Sequence, residues 1–217
     1  IYSDGYQQGT AAKIPYDGSY IITGTTTDSC VIQITGIGSG ATVTMQDVSV
    51  TCSGAPILMT NVPIHATGTL KLHSSSSLAV SSSLMLTGDA NVDLLGYSPA
   101  ISGNVNITCN SFHAESTNSV GISSGSVTIN AAEDITILAG SGPAITGPAK
   151  LTAGGDILAE SKNSNVASAN LEATAGGDIT LKTNSVSPAV SASATLEAAG
   201  NVSISNPGGM AVSGKLT

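Results

Sequence analysis

The sequence predicts an all-β fold, a single-stranded right-handed parallel β-helix (solenoid) with coils of about 22 residues and an N-terminal cap. Three observations carry this expectation. The positions Asp47, Thr69, Asn91, Ser111, Asp134, Asp156, Asp178 and Asn201 each precede Val, Leu, Phe or Ile, and successive gaps are 22, 22, 20, 23, 22, 22 and 23 residues. Around these anchors apolar and polar side chains alternate with period two, the mark of strands with one buried face. Hydrophobic residues reach 41% while aromatics are 3% and charged residues 9%, so Val, Ile, Leu and Ala from many thin, similar layers must fill the interior. A period of this length means that each unit buries its apolar face only by stacking on its neighbours.

Residues 1–37 do not fit the repeat cleanly and are assigned to an N-terminal cap and first coil. They hold Tyr2, Tyr6, Tyr16 and Tyr20, four of the five tyrosines, and the apolar runs Tyr20-Ile21-Ile22 and Val31-Ile32-Gln33-Ile34. A solenoid end would otherwise leave apolar side chains and unpaired backbone facing water. Residues 38–217 then form about eight coils of the same domain. In the unit around Asp178, Leu171, Ala173 and Ala175 alternate with Glu172 and Thr174. Gly176-Gly177-Asp178 makes a corner, and Ile179 and Leu181 follow in alternation with Thr180 and Lys182. A polar bend such as Thr183-Asn184-Ser185 leads to a short third apolar element, Pro99-Ala100-Ile101, Pro143-Ala144-Ile145 or Pro188-Ala189-Val190 in alternate units. Equivalent residues of near-equal coils lie above one another at a parallel-strand spacing of roughly 4.8 Å, and the crossover rule makes the coil right-handed. Helix fails for want of i, i+3, i+4 apolar spacing. An antiparallel sandwich is the alternative, but it does not require a constant period. The chain closes on Val212-Ser213-Gly214 in phase with another coil, as a fragment of a longer array would.

The net charge of −8 arises from 14 acidic residues against 6 lysines, with no arginine. Nucleic acid is therefore excluded as a partner, because phosphate contacts need a cationic surface and base readout leans on arginine. No run of about 18 apolar residues offers a membrane span. Ile1 is not preceded by a charged and then apolar leader, so a secretory signal is expected to have been removed or never to have been present. Abundant Ser, Thr, Gly and Asn with little charge suit an extracellular or cell-surface setting.

The candidate ligand-binding constellation is Lys71, Asp93 and His113, each two residues past successive anchors, with His73 and Glu115 two residues further along the same strands. A base, an acid and a histidine in one outward row are raw material for acid–base chemistry, and equally what a solvated strand displays. Lys150 above Glu172 and Glu160 above Lys182 read as surface ion pairs. The candidate metal ladder is Asp134, Asp156 and Asp178, with Asn91 and Asn201 at matching corners. Stacked carboxylates could share calcium, although turn chemistry, in which Asp bonds nearby backbone, is the simpler account. No other cofactor is expected. Cys30 and Cys52 are one coil apart, within reach of a disulfide, or else buried thiols like Cys109. Serines are assigned to turns and outward strand positions. No G-x-S-x-G, phosphate-binding loop or C-x-x-C occurs.

The stretch SYIITGTTTDSCVIQITGIGSGATVTMQDVSV, ending at Val50, resembles the opening of β-helical surface proteins of gut bacteria identified as carbohydrate-binding-domain-containing. The Ala-Gly-Gly-Asp-Ile segments ending at Ile157 and Ile179 are similar to haemagglutinin-type adhesin repeats. The resemblance implies an extracellular, surface-attached, non-catalytic protein that adheres to glycans or host surface proteins. The competing expectation is a polysaccharide lyase or hydrolase with its site on an outer face, since parallel β-helices include pectin-cleaving enzymes. A chain of charge −8 without arginine suits an anionic sugar poorly. Ice binding by threonine rows is a third option, against which the outward positions mix Thr with Ser, Lys, Glu and Asn.

Overall fold

A computed structural model describes residues 11–13, 19–27, 31–34, 42–59 and 63–217. Among them there is no helix, and none long and apolar enough to cross a membrane. The chain is a β-solenoid whose named strands all pair in parallel. The pairing runs in the register that the spacing predicts, with Asp93 opposite Lys71, and His113 opposite Asp93.

Each coil has three faces. The first carries Leu84–Gly88, Val105–Cys109, Val127–Ala131, Ala149–Ala153, Leu171–Ala175 and Ala194–Ala198. The second carries Asn91–Gly96, Ser111–Ser116, Ile135–Ala139, Ile157–Ser161, Ile179–Thr183 and Val202–Ser205. The third is reduced. After Ile101–Ser102 and Ile122–Ser123 it consists of single bridges linking Ile122, Ile145, Ala167, Val190 and Val212. Alternation explains the interior. In Ile157–Ser161, for example, Ile157, Ala159 and Ser161 are buried while Leu158 and Glu160 point outward and are only half-buried. Phe112, the one phenylalanine, is in the inward phase and 1% exposed.

The expected corner at every anchor holds only for the later coils. Thr42–Cys52 and Ile64–Ser74 are single 11-residue strands that cross from the first face to the second without a break. They bend at one left-handed residue each, Asp47 with φ 51° and Gly68 with φ 69°. Such a residue shifts the ladder register and sharpens the twist locally. Later corners widen to three residues such as Gly154-Gly155-Asp156. The 20-residue gap falls where the corner narrows to Asn110 alone, whose Nδ2 donates to Asn91 Oδ1 at 2.8 Å.

Within the first 37 residues, Ser19–Thr26 pairs with Thr42–Cys52, and Val31–Ile34 pairs with both Ala11–Lys13 and Ile57–Met59. These strands thus join the parallel sheets of the solenoid, and much of the expected cap lies outside the described residues. So does Cys30, and with it the question of a Cys30–Cys52 bridge.

Candidate functional site

The two broad faces differ in chemistry and in shelter. On the first face the outward side chains Asn106, Thr108, Asn130, Lys150, Glu172 and Thr174 are exposed. Its ion pair, Lys150–Glu172, spans 4.0 Å with side chains 65% and 64% exposed. On the second face Lys71, His73, Asp93, Leu95, His113, Glu115, Leu138, Leu158 and Glu160 are all outward yet half-buried. Longer side chains stacked at the strand spacing cover one another's stems there.

The five residues singled out as a constellation come together on three consecutive strands of this second face. Lys71, Asp93 and His113 form one register row, and His73 and Glu115 lie in the next. Asp93 turns across rows: its Oδ2 lies 2.8 Å from His73 Nε2, in a pair whose histidine side chain is 18% exposed. His113 Nε2 lies 3.7 Å from Glu115 Oε2 on its own strand. The arrangement offers donors, acceptors and a histidine held by a carboxylate, the set that binds hydroxyl-rich or amide-bearing ligands and that can also orient an imidazole for proton transfer. Further along, a shallow groove is lined by Glu115, Ser116, Leu138, Ala139, Glu160 and Lys162. Glu160 accepts both of its contacts from Lys182 Nζ at 3.2 Å. Leu138 and Lys162 were not among the sequence candidates; register places Leu138 beside Glu115 and Glu160, and Lys162 follows Glu160 two residues on, at the rim of the groove.

The corner carboxylates bond the backbone of the next coil. Asp134 Oδ1 accepts the amide N–H of Asp156 at 2.7 Å, Asp156 Oδ1 that of Asp178 at 2.7 Å, and Asp178 Oδ1 that of Asn201 at 2.7 Å. Asp47 Oδ1 does the same for Thr69 at 3.1 Å. The partner is therefore one coil away, not the adjacent backbone that turn chemistry implied. Among the described residues no group of three or more His, Cys, Asp or Glu side chains is arranged to hold a metal ion.

A second revision concerns the serines. Ser74, Ser116, Ser161 and Thr183 point inward and are buried, not outward or solely in turns. Ser161 Oγ donates to the Gly142 carbonyl at 2.8 Å and accepts the Ser164 N–H at 3.1 Å, so the hydroxyl seals the bend after the second face.

Of the cysteines, Cys52 and Cys109 are buried in the inward phase. Burial pushes the Cys109 thiol up from 9.0 to about 12, which keeps it neutral and non-nucleophilic. Threonine does gather on the first face, where Thr44, Thr87, Thr108, Thr152 and Thr174 share one row. His65 and Asn130 interrupt that row and the Lys150–Glu172 pair flanks it. Neither a protein-family model, nor a curated protein, nor a solved structure matches this chain.

Proposed function

We propose that this chain is a non-catalytic recognition module of an extracellular or cell-surface β-solenoid protein, adhering to glycans through the second face. The observation that supports this most is the coincidence of chemistry and shelter. The face bearing Lys71, His73, Asp93, His113 and Glu115 is the one on which most outward side chains, though not Lys182, are half-buried, and charged groups held in that way bond ligand hydroxyls more strongly than neutral ones. Sugar sites usually add aromatic platforms, and the exposed aromatic near this face is Tyr97, at 47% exposure. Half-buried Leu95, Leu138 and Leu158 supply apolar area in their place.

A glycan-array screen of the purified chain, with and without calcium, tests the reading. Specific binding that is lost in Asp93→Ala or His113→Ala, with the fold retained, is the expected result. A protein that binds no glycan would leave adhesion to a host protein as the remaining form of the role. Binding that needs calcium, together with a calcium-dependent rise in melting temperature, would restore the corner aspartates as a metal site.

The His73–Asp93 contact of 2.8 Å favours one second reading, a polysaccharide-cleaving site in which Asp93 orients His73 as a base. New reducing ends or unsaturated products on incubation with neutral and acidic polysaccharides, abolished by His73→Asn, would establish it. An inert protein that still binds would dismiss it.

A further inference from the structure

Along the second face one register row alternates between polar and aliphatic side chains from His73 to Glu160 and ends on Lys182. His73, Leu95, Glu115, Leu138, Glu160 and Lys182 follow one another in parallel pairing. Leu95 and Leu138 are two coils apart, and so are Glu115 and Glu160, which is about 9.6 Å at a strand spacing of roughly 4.8 Å. The shallow groove at Glu115, Leu138 and Glu160 lies on this row.

The charge of the strip narrows the ligand class. Asp93, Glu115 and Glu160 are balanced by Lys71, Lys162 and Lys182, so the formal charge of −8 is carried entirely by the rest of the chain. Along its length, a polyanion would meet the carboxylates and a polycation the ammonium groups. An uncharged polyol opposes neither, since its hydroxyls donate to carboxylates and accept from ammonium groups. The aliphatic faces of Leu95 and Leu138 match the C–H faces of pyranose rings. In an extended β-1,4-linked glycan each ring is turned over relative to the last, so the chemistry along one edge repeats at every second sugar. From His73 to Glu160 this row repeats at every second coil, polar then aliphatic, and Lys182 closes it.

Resting on the glycan-recognition role above, we propose that the row from His73 to Glu160 binds an extended, uncharged β-1,4-linked glycan lying along the solenoid axis, one disaccharide for every two coils. The ligand spans coils, so affinity grows with its length, and a helically coiled α-linked chain loses the match.

Titration calorimetry of the whole chain with cellobiose, cellotetraose and cellohexaose, the corresponding manno- and chito-oligosaccharides, and maltohexaose tests this. At least one β-1,4 series should tighten by roughly tenfold or more from the disaccharide to the hexasaccharide. Maltohexaose should bind at least as weakly as the disaccharide. Leu138→Asp should remove the gain with length, while Thr152→Asp on the first face leaves it intact. Both variants are compared at an unchanged melting temperature, and Glu115→Gln stands in if Leu138→Asp does not fold. Affinity that ignores length or linkage, or that survives loss of both Leu138 and Glu115, overturns the axial site while leaving glycan recognition standing. Absence of binding by every β-1,4 series overturns the axial site, and the array result then decides recognition separately.

Discussion

At the scale of single residues, the Gly-Gly-Asp corners show one side chain dictating another a coil away. An ideal Cβ on Gly177 would lie 2.0 Å from Asp156 Oδ1, on Gly155 2.1 Å from Asp134 Oδ1, on Gly200 2.1 Å from Asp178 Oδ1 and on Gly68 2.2 Å from Asp47 Oδ1. Wherever a corner aspartate accepts the next coil's N–H, the residue before that N–H has no room for a side chain. Glu133 is allowed at the equivalent position because Ser111, not Asp, lies one coil before its corner. Gly177→Ala should therefore cost about 1–3 kcal/mol, and Asp156→Ala about 0.5–1.5 kcal/mol. The double variant should be more stable than the sum implies, by about 1 kcal/mol in denaturant unfolding. Gly176→Ala is the control, because its Cβ would meet the Gly154 carbonyl oxygen at 2.1 Å, which Asp156→Ala does not remove. Additive effects at Asp156 and Gly177 would refute the coupling. Cys109 gives a second expectation. With its thiol pushed up from 9.0 to about 12 by burial, its contribution to stability is full below pH 9 and lost as pH rises toward 12. Cys109→Ala should flatten the alkaline decline of unfolding free energy across that window, and alkylation of Cys109 in the native protein should be slow beside that of the unfolded chain. The aspartate anchors were legible in the sequence as a row, but their bonding partners were not, since a 22-residue period locates a corner without saying which way its carboxylate turns.

At the scale of elements, the bends and the strand faces are held by different groups. The bend after the second face depends on a buried hydroxyl that satisfies one carbonyl and one amide at once, as Ser161 does with Gly142 and Ser164. Ser161→Ala leaves both groups without that partner in a partly buried site and should lower stability by about 1–3 kcal/mol in thermal or denaturant melts. Loss of less than the effect of a surface serine such as Ser203→Ala would count against the hydroxyl's role. Period-two alternation placed these strands correctly, and Lys71, Asp93 and His113 fell in register as the spacing predicted. It could not say that the early coils run through the corner as unbroken strands, because Asp47 and Gly68 read as ordinary turn residues. Nor could it reveal that Asp93 reaches diagonally to His73 instead of to its row partner Lys71.

At the scale of the whole molecule, stability is a stack of neighbouring layers, since each coil pairs only with the coils on either side. Leu181→Ala, at a position with 0% exposure, should remove about 2–5 kcal/mol. The loosening should be local: hydrogen exchange is expected to rise in the coils around Ile179–Thr183 while Ile64–Ser74 keeps its protection. A uniform rise along the chain would mean that the solenoid opens as one unit. The sequence by itself determined the period, the places of the strands, and which apolar side chains face in, because these follow from short-range alternation and from coils of near-constant length. Only the tertiary structure decided that corner aspartates stitch one coil to the next, that buried hydroxyls seal the bends, and that one broad face half-buries most of its outward polar groups while the other leaves most of them exposed. Those outcomes depend on how neighbouring coils seat their side chains against each other, and contacts about 22 residues apart leave no local trace in the chain.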